Sequence, residues 1–343
     1  MKLNRKHLPI LITVVLFFMT YLAGSLRYDN FFSTRVFLNL FIDNSFLFIT
    51  SIGMTLVIIS GGIDLSVAGV MALTAMVSAV LVEYHHFPIT AVIPIVLLMG
   101  TMIGFTMGVI IHYFKLQPFI ITLAGLFFTR GMCYVLSVDA VTITDQVYVN
   151  IAKTRIPVGE KSFISIGVII FLVVLLVILY LTRCTRFGRN IYAIGGSESS
   201  AVLMGLPVGL TKVMVYTLNG FLSSLAGIVF TFYMLSGYGR HLDMLELDVI
   251  AAVVIGGTQL TGGYGYVIGT VFGVLIEGVI QTIIMFEGTL NSWWTSIMVG
   301  LLTLFFIAVQ RILLGNRSGL WKSANLLSGQ RKKPRGIQTD TTS

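Results

Sequence analysis

Apolar positions in this chain come in long unbroken runs, without the alternation of 3.6 or 2 that marks a helix or strand half-buried on a soluble core. The runs are Leu8 to Leu26, Val36 to Ser60, Val67 to Val82, Ile89 to Phe114, Phe119 to Val138, Phe163 to Thr182, Val213 to Leu235, Val249 to Leu260, Val267 to Phe286 and Ser292 to Leu314. About 20 apolar residues at 1.5 Å each cross a hydrocarbon core about 30 Å thick, so most of these ten segments are predicted to span a membrane as helices. Two are short. As straight helices Val67 to Val82 would reach about 24 Å and Val249 to Leu260 about 18 Å. Each abuts a glycine-rich break, which predicts a broken or re-entrant element.

Composition agrees with lipid as the main solvent. Of 343 residues, 56% are hydrophobic and only 10% charged, against roughly 25% charged in soluble domains. The predicted fold class is an all-α polytopic membrane protein of about ten transmembrane or partly re-entrant helices, occupying residues 1–314. Residues 315–343 form a basic tail, expected to be disordered and cytoplasmic. If the N-terminus is cytoplasmic and every segment crosses, 15 of the 22 Lys and Arg fall on the cytoplasmic side, among them Lys2, Arg5, Lys6, Arg183, Arg186, Arg189 and Lys212. The positive-inside rule then predicts both termini inside. The net charge of +8 is therefore an orientation signal, and no water-exposed basic module points to nucleic acid. The first run is 19 residues long and mostly apolar, longer than a cleavable signal core of about 7–15, and is read as an uncleaved anchor. Cys133 and Cys184 are expected to be free thiols.

Two stretches look alike: SGGIDLS at Ser60 to Ser66 and IGGTQLT at Ile255 to Thr261. Each follows a β-branched run and precedes another apolar segment, which suggests two pseudo-symmetric halves, although a chance match of glycine-rich turns weighs about as much. Paired Gly weakens helix, and backbone groups freed at membrane depth persist only where protein or a water-filled cavity satisfies them. Glycines every fourth residue (Gly100, Gly104, Gly108; Gly265, Gly269, Gly273), with Gly220, Ser224 and Gly227, predict helix faces that let backbones approach.

No phosphate-binding loop, HExxH, GxSxG or Cys/His cluster is present, so no catalytic constellation, metal site or bound cofactor is expected on this chain. Charges within spans are expensive and default to functional candidates: Arg130, Glu277, Asp64, Asp43 and Asp248. For Arg130 an interhelical hydrogen bond to a carbonyl is the favoured reading, and Asp64 is divided evenly between a helix cap and a ligand group. Uncharged polar groups near the breaks suit a sugar better than an ion. The candidate pathway residues are Asn44, Ser60, Asp64, Asn219, Gln259, Tyr264, Glu277 and Gln281, with Thr258 beside them. In the largest cytoplasmic loop, residues 183–211, Gly195, Gly196 and Ser197 precede a short stretch ended by Gly205 and Pro207. A Ser cap and a Gly-x-Pro stop predict a helix of about two turns outside the membrane, useful as a docking surface.

The combination ISGGIDLSV (Ile59 to Val67), FIITLAGLFFTRG (Phe119 to Gly131), TRFGRNIYAIGG (Thr185 to Gly196) and VVIGGTQLTGG (Val253 to Gly263) resembles the ribose/galactose-type sugar permeases of bacterial ABC importers. ELDVIAAVVIGG with FEGTLNSWW (Phe286 to Trp294) is similar, more narrowly, to galactofuranose importer permeases. The resemblance implies a non-catalytic inner-membrane subunit that moves a monosaccharide by alternating access. It also implies an ATPase partner holding ATP and Mg, a second and different permease chain, and a periplasmic sugar-binding protein. It would make the loop a coupling helix seated on the ATPase, with Gly195, Gly196, Ser197, Glu198, Ala201, Leu203, Met204 and Gly205 as the coupling residues. The alternative, a self-sufficient cation-coupled symporter, needs pathway carboxylates, for which Asp64 and Glu277 are the candidate pair.

Overall fold

In chain order the helices are α1 (Leu8–Arg27), α2 (Thr34–Asp43), α3 (Ser45–Ile59), α4 (Val67–Glu83), α5 (Ile89–Tyr113) and α6 (Pro118–Leu136), then α7 (Gln146–Ala152), α8 (Ile166–Cys184), α9 (Arg186–Gly196), α10 (Glu198–Leu203), α11 (Val208–Met234), α12 (Leu245–Ile255), α13 (Val267–Glu287) and α14 (Trp293–Ala308). This computed structural model describes residues 8–158, 162–289, 291 and 293–308; the tail at 315–343 lies outside the described residues. Helices α1, α5, α6, α8, α11 and α13 are long and apolar enough to cross a membrane, and the α2–α3 pair, bent by 55°, would make a seventh span. Each of the ten apolar runs contains a helix, but α4, α12 and α14 fall short of that length. The expected single run from Val36 to Ser60 is bent because the Asn44 amide donates back to the Leu40 carbonyl at 3.0 Å, capping α2 where α3 begins.

Among the described residues, four short strands qualify the all-helical expectation. β1 (Val141–Thr142) pairs antiparallel with β4 (Ser236–Gly237), and β2 (Arg155–Pro157) with β3 (Phe163–Ser165). Helix α12 starts four residues before the predicted run, because Glu246 and Asp248 lie in its first turn. Acids there favour the positive end of the helix dipole, so they extend the helix that their charge was expected to exclude.

At the centre α11 packs against α3, α4 and α5. The glycine ladders account for how closely: a Cβ on Gly100 would meet the Gly220 carbonyl at 2.8 Å, and one on Gly104 the Gly220 Cα at 3.0 Å. Across the same face Ser224 donates to the Val96 carbonyl at 3.0 Å. Gly269 and Gly273 on α13 pack against Gly256 and Ala252 of α12 in the same way. This is small-residue packing of the kind lipid-embedded helices use in place of a hydrophobic drive.

Candidate functional site at the glycine breaks

Helix α3 ends in a Schellman motif. The Gly61 N–H bonds the Ile58 carbonyl and the Gly62 N–H the Val57 carbonyl, both at 3.0 Å, with Gly61 at φ +88°. Helix α12 ends identically one residue later in the repeat: Gly257, at φ +89°, bonds Val254 at 2.9 Å, and Thr258 bonds Val253 at 3.2 Å. The two breaks therefore share a geometry, yet Gly61 corresponds to Gly257 and not, as the sequence match pairs them, to Gly256. Left-handed φ is what requires glycine at both positions.

Beyond the first break Asp64, 1% exposed, accepts from the Ser66 N–H at 2.9 Å, the Ser66 hydroxyl at 2.6 Å and the Asn219 amide at 2.8 Å. It thus turns the chain into α4 and ties the turn to α11. This is close to the cap reading of Asp64, with the bonds made to Ser66 just ahead of α4. The Asn219 side-chain oxygen has no hydrogen-bond partner, nor has the hydroxyl of Tyr216, one turn earlier on α11. Gly62 leaves room for that hydroxyl, which any Cβ there would strike. Tyr216 was missed in the sequence because it sits inside an apolar run; its spacing of three from Asn219 was the available signal.

The second break is satisfied by protein. Thr13 of α1 donates to the Ile255 carbonyl at 2.7 Å, the Tyr192 hydroxyl of α9 to the Gly265 carbonyl at 2.8 Å, and Gly263 N–H to the Ile59 carbonyl at 2.8 Å. Gln259 is half-buried, its N–H bonded to the Tyr264 carbonyl at 3.0 Å, and the Tyr264 ring meets Tyr266 edge-on at 5.5 Å. The Thr258 hydroxyl is buried without a partner.

Three glycine pairs far apart in sequence meet here. A Cβ on Gly262 would lie 2.9 Å from Gly61 Cα, and one on Gly263 would lie 2.6 Å from Gly196 Cα; one on Gly195 would strike the Ile59 carbonyl. Gly195 and Gly196 precede the loop helix α10, as expected, and also end α9, an amphipathic helix capped by Thr185. Ser197 caps α10 as predicted, its hydroxyl accepting from the Ser200 N–H at 3.3 Å. Gly205, at φ +72°, closes the other end with the same Schellman pattern: Gly205 to Val202 at 2.9 Å and Leu206 to Ala201 at 3.0 Å. Ala201 is buried, whereas Val202, Leu203 and Met204 are exposed. Glu198 pairs with Lys212 of α11 at 2.7 Å. The loop is thus a helical hairpin with an apolar tip, rooted in both breaks.

The remaining candidates lie elsewhere. Asn44 serves the α2–α3 bend, packed against Gly278. Glu277, 1% exposed with one oxygen unpartnered, and Gln281, one turn on, belong to α13. Asp64 and Glu277 sit in separate polar groups: Asp64 with Ser66 and Asn219, Glu277 nearest in charge to Asp248. Asp43 is exposed and accepts from Tyr233 at 3.4 Å. Arg130 makes carbonyl bonds, as favoured, to Gly239 at 2.7 Å, His241 at 2.6 Å and Leu242 at 2.9 Å, and pairs with Asp243 at 3.3 Å. It clamps the loop between β4 and α12, where partial burial, then the Arg130 charge, push the His241 imidazole below its usual pKa. Cys133 is buried and Cys184 exposed, both as free thiols.

Residues 36–307, which contain both breaks and the hairpin, match the family described as branched-chain amino acid transport system / permease component. At 45% identity over 90% of this chain and 93% of the relative, the sequence is similar to the inner membrane ABC transporter permease protein YjfF of Escherichia coli K12. It is 36% identical to the ribose import permease protein RbsC of the same organism, over 82% of this chain and 87% of that one. The chain belongs to the ribose/galactose-type family of ABC permeases. The fructose import permease protein FruG of Bifidobacterium longum is a further relative of this permease, at 38% identity over 91% of the chain and 93% of FruG. No solved structure matches it. Thr13 and the rest of α1, which supply the bond that closes the second break, lie outside the residues of the family match.

Proposed function

We propose that this permease is the inner-membrane subunit of an importer that carries a monosaccharide, galactofuranose, into the cytoplasm. A separate ATPase supplies the energy, a periplasmic binding protein delivers the sugar, and a second, different permease chain completes the pathway. The observation that carries the reading is the α9–α10 hairpin. Its exposed tip, Val202 to Met204, suits a cleft on the ATPase, and its glycine root rests on Ile59, Gly61, Gly262 and Gly263. A displacement at the tip therefore acts directly on both broken elements. Helices short enough to end at mid-membrane, meeting in polar residues, are where transporters place substrate sites. The orientation follows from the Lys and Arg distribution: both termini and the hairpin in the cytoplasm, with ten crossing or partly re-entrant segments. Galactofuranose rests on the resemblance at Glu246 to Gly257 and Phe286 to Trp294.

The test is uptake of radiolabelled galactofuranose, with ribose and fructose as competitors, in cells expressing this chain with an ATPase, a second permease and a binding protein of the same importer. Uptake that needs ATP and survives an uncoupler is expected. Uptake that persists without ATP and collapses on adding an uncoupler would overturn the reading in favour of a cation-coupled symporter, for which the separation of Asp64 from Glu277 offers no shared site.

A further inference from the structure

Between the hairpin and the membrane helices lies a cavity of about 190 Å³, walled by Ser60, Gly61 and Gly62 of the first break, Ile111 and Pro118 of the α5–α6 connection, Ile194, Gly195 and Glu198 of the hairpin, and Lys212 and Tyr216 of α11. Neither the second break nor the Glu277 group contributes a wall to it. At about 30 Å³ per water it holds about six waters' worth of ligand, below the roughly 300 Å³ at which pockets for drug-sized molecules begin.

Its polar groups define what would enter. Tyr216 is 2% exposed and its hydroxyl has no hydrogen-bond partner; a buried hydroxyl left unpaired is costly, so it awaits one. The Ser60 hydroxyl donates to the Val57 carbonyl at 2.7 Å and retains its acceptor capacity. At the mouth Lys212 and Glu198 neutralise each other, so a charged ligand gains nothing without breaking the pair. A neutral polyhydroxyl molecule can accept from the ammonium and donate to the carboxylate while the pair stays closed. Ile111 and Ile194, both buried, offer apolar faces for C–H groups. We propose that this cavity is a second sugar site, opening to the cytoplasm, which takes one neutral monosaccharide and reports accumulated product to the coupling hairpin. The inference rests on the proposed function for its direction. Because the walls come from both hairpin and membrane helices, a sugar bridging them favours the docked arrangement, and ATP-driven movement of the hairpin must then expel it. The coupling is reciprocal.

The whole importer is reconstituted in proteoliposomes with the hairpin side outward and with binding protein and radiolabelled sugar enclosed; D-galactose is added outside with ATP. In parallel, equilibrium dialysis measures binding of labelled D-galactose to the permease and ATPase complex without binding protein. Added galactose is expected to slow transport saturably. Tyr216→Phe should raise the half-inhibiting concentration, and the dissociation constant in dialysis, at least tenfold, which is about 1.4 kcal/mol. Each variant is compared with its own uninhibited rate. Transport without such inhibition, or inhibition unchanged in Tyr216→Phe, overturns the second site while leaving the proposed function standing. Absence of any ATP-driven transport would overturn the proposed function, and dialysis still decides the cavity: no saturable binding, or equal binding by Tyr216→Phe, refutes it.

Discussion

Asp64 accepts three hydrogen bonds where almost no water reaches it, so its loss strands a backbone N–H and an amide together. Unpaired buried donors cost about 1–3 kcal/mol each. Asp64→Ala should therefore destabilise the purified chain by about 3 kcal/mol, against about 1 kcal/mol for Ser66→Ala, which removes one hydroxyl and keeps the backbone bond. Thermal unfolding in detergent checks the order; equal effects would mean that neither the Asn219 contact nor the Ser66 backbone bond contributes. The buried, unpartnered hydroxyls of Tyr216 and Thr258 and the Asn219 oxygen have the opposite character, being polar groups held dry on the hairpin side of the molecule.

At the scale of elements the hairpin decides. Gly205→Pro forces φ from +72° to about −65° and removes the N–H that closes α10. Uptake is expected to fall at least tenfold while the chain still reaches the membrane, as immunoblots of membrane fractions would report. Uptake within twofold of wild type would sink the coupling role. How far this element was legible depended on its ends. Ser197 and Gly205 announced α10 because a cap and a left-handed stop are local chemistry. Helix α9 was not foreseen: Phe187, Ile191 and Ile194 recur at helical spacing, but Gly188 interrupts them, Gly195 and Gly196 follow, and the pattern reads as a loop. The breaks themselves were legible, whereas their junction was not, because nothing local in Gly195 or Gly263 specifies which distant backbone each approaches. The one-residue offset between Gly61 and Gly257 has the same cause, since a glycine pair does not say which of its members takes the left-handed turn. Tyr216 shows the limit for the site: a hydroxyl inside an apolar run is conspicuous only once its missing partner is seen.

For the molecule as a whole, orientation is the open variable that one exposed thiol can report. Cys184, at the end of α8 beside the hairpin, is exposed, and Cys133 is buried. A membrane-impermeant maleimide should label Cys184 in inverted vesicles and leave it untouched in spheroplasts; the reverse pattern would refute cytoplasmic termini. Among the described residues, lengths and compositions set the count of six helices able to cross alone, seven with the bent pair, and the short helices depend on neighbours for the rest. The Thr13 bond to Ile255 spans 242 residues of sequence. Ribosomes add about 5–20 residues per second, so α1 spends about 12–50 s in the bilayer before the carbonyl it will cap has been made. Through that interval the chain downstream grows past an anchor that has lipid for its neighbour, and the second half can settle only by returning to a helix inserted long before. Assembly of this permease therefore closes from its last helices back onto its first.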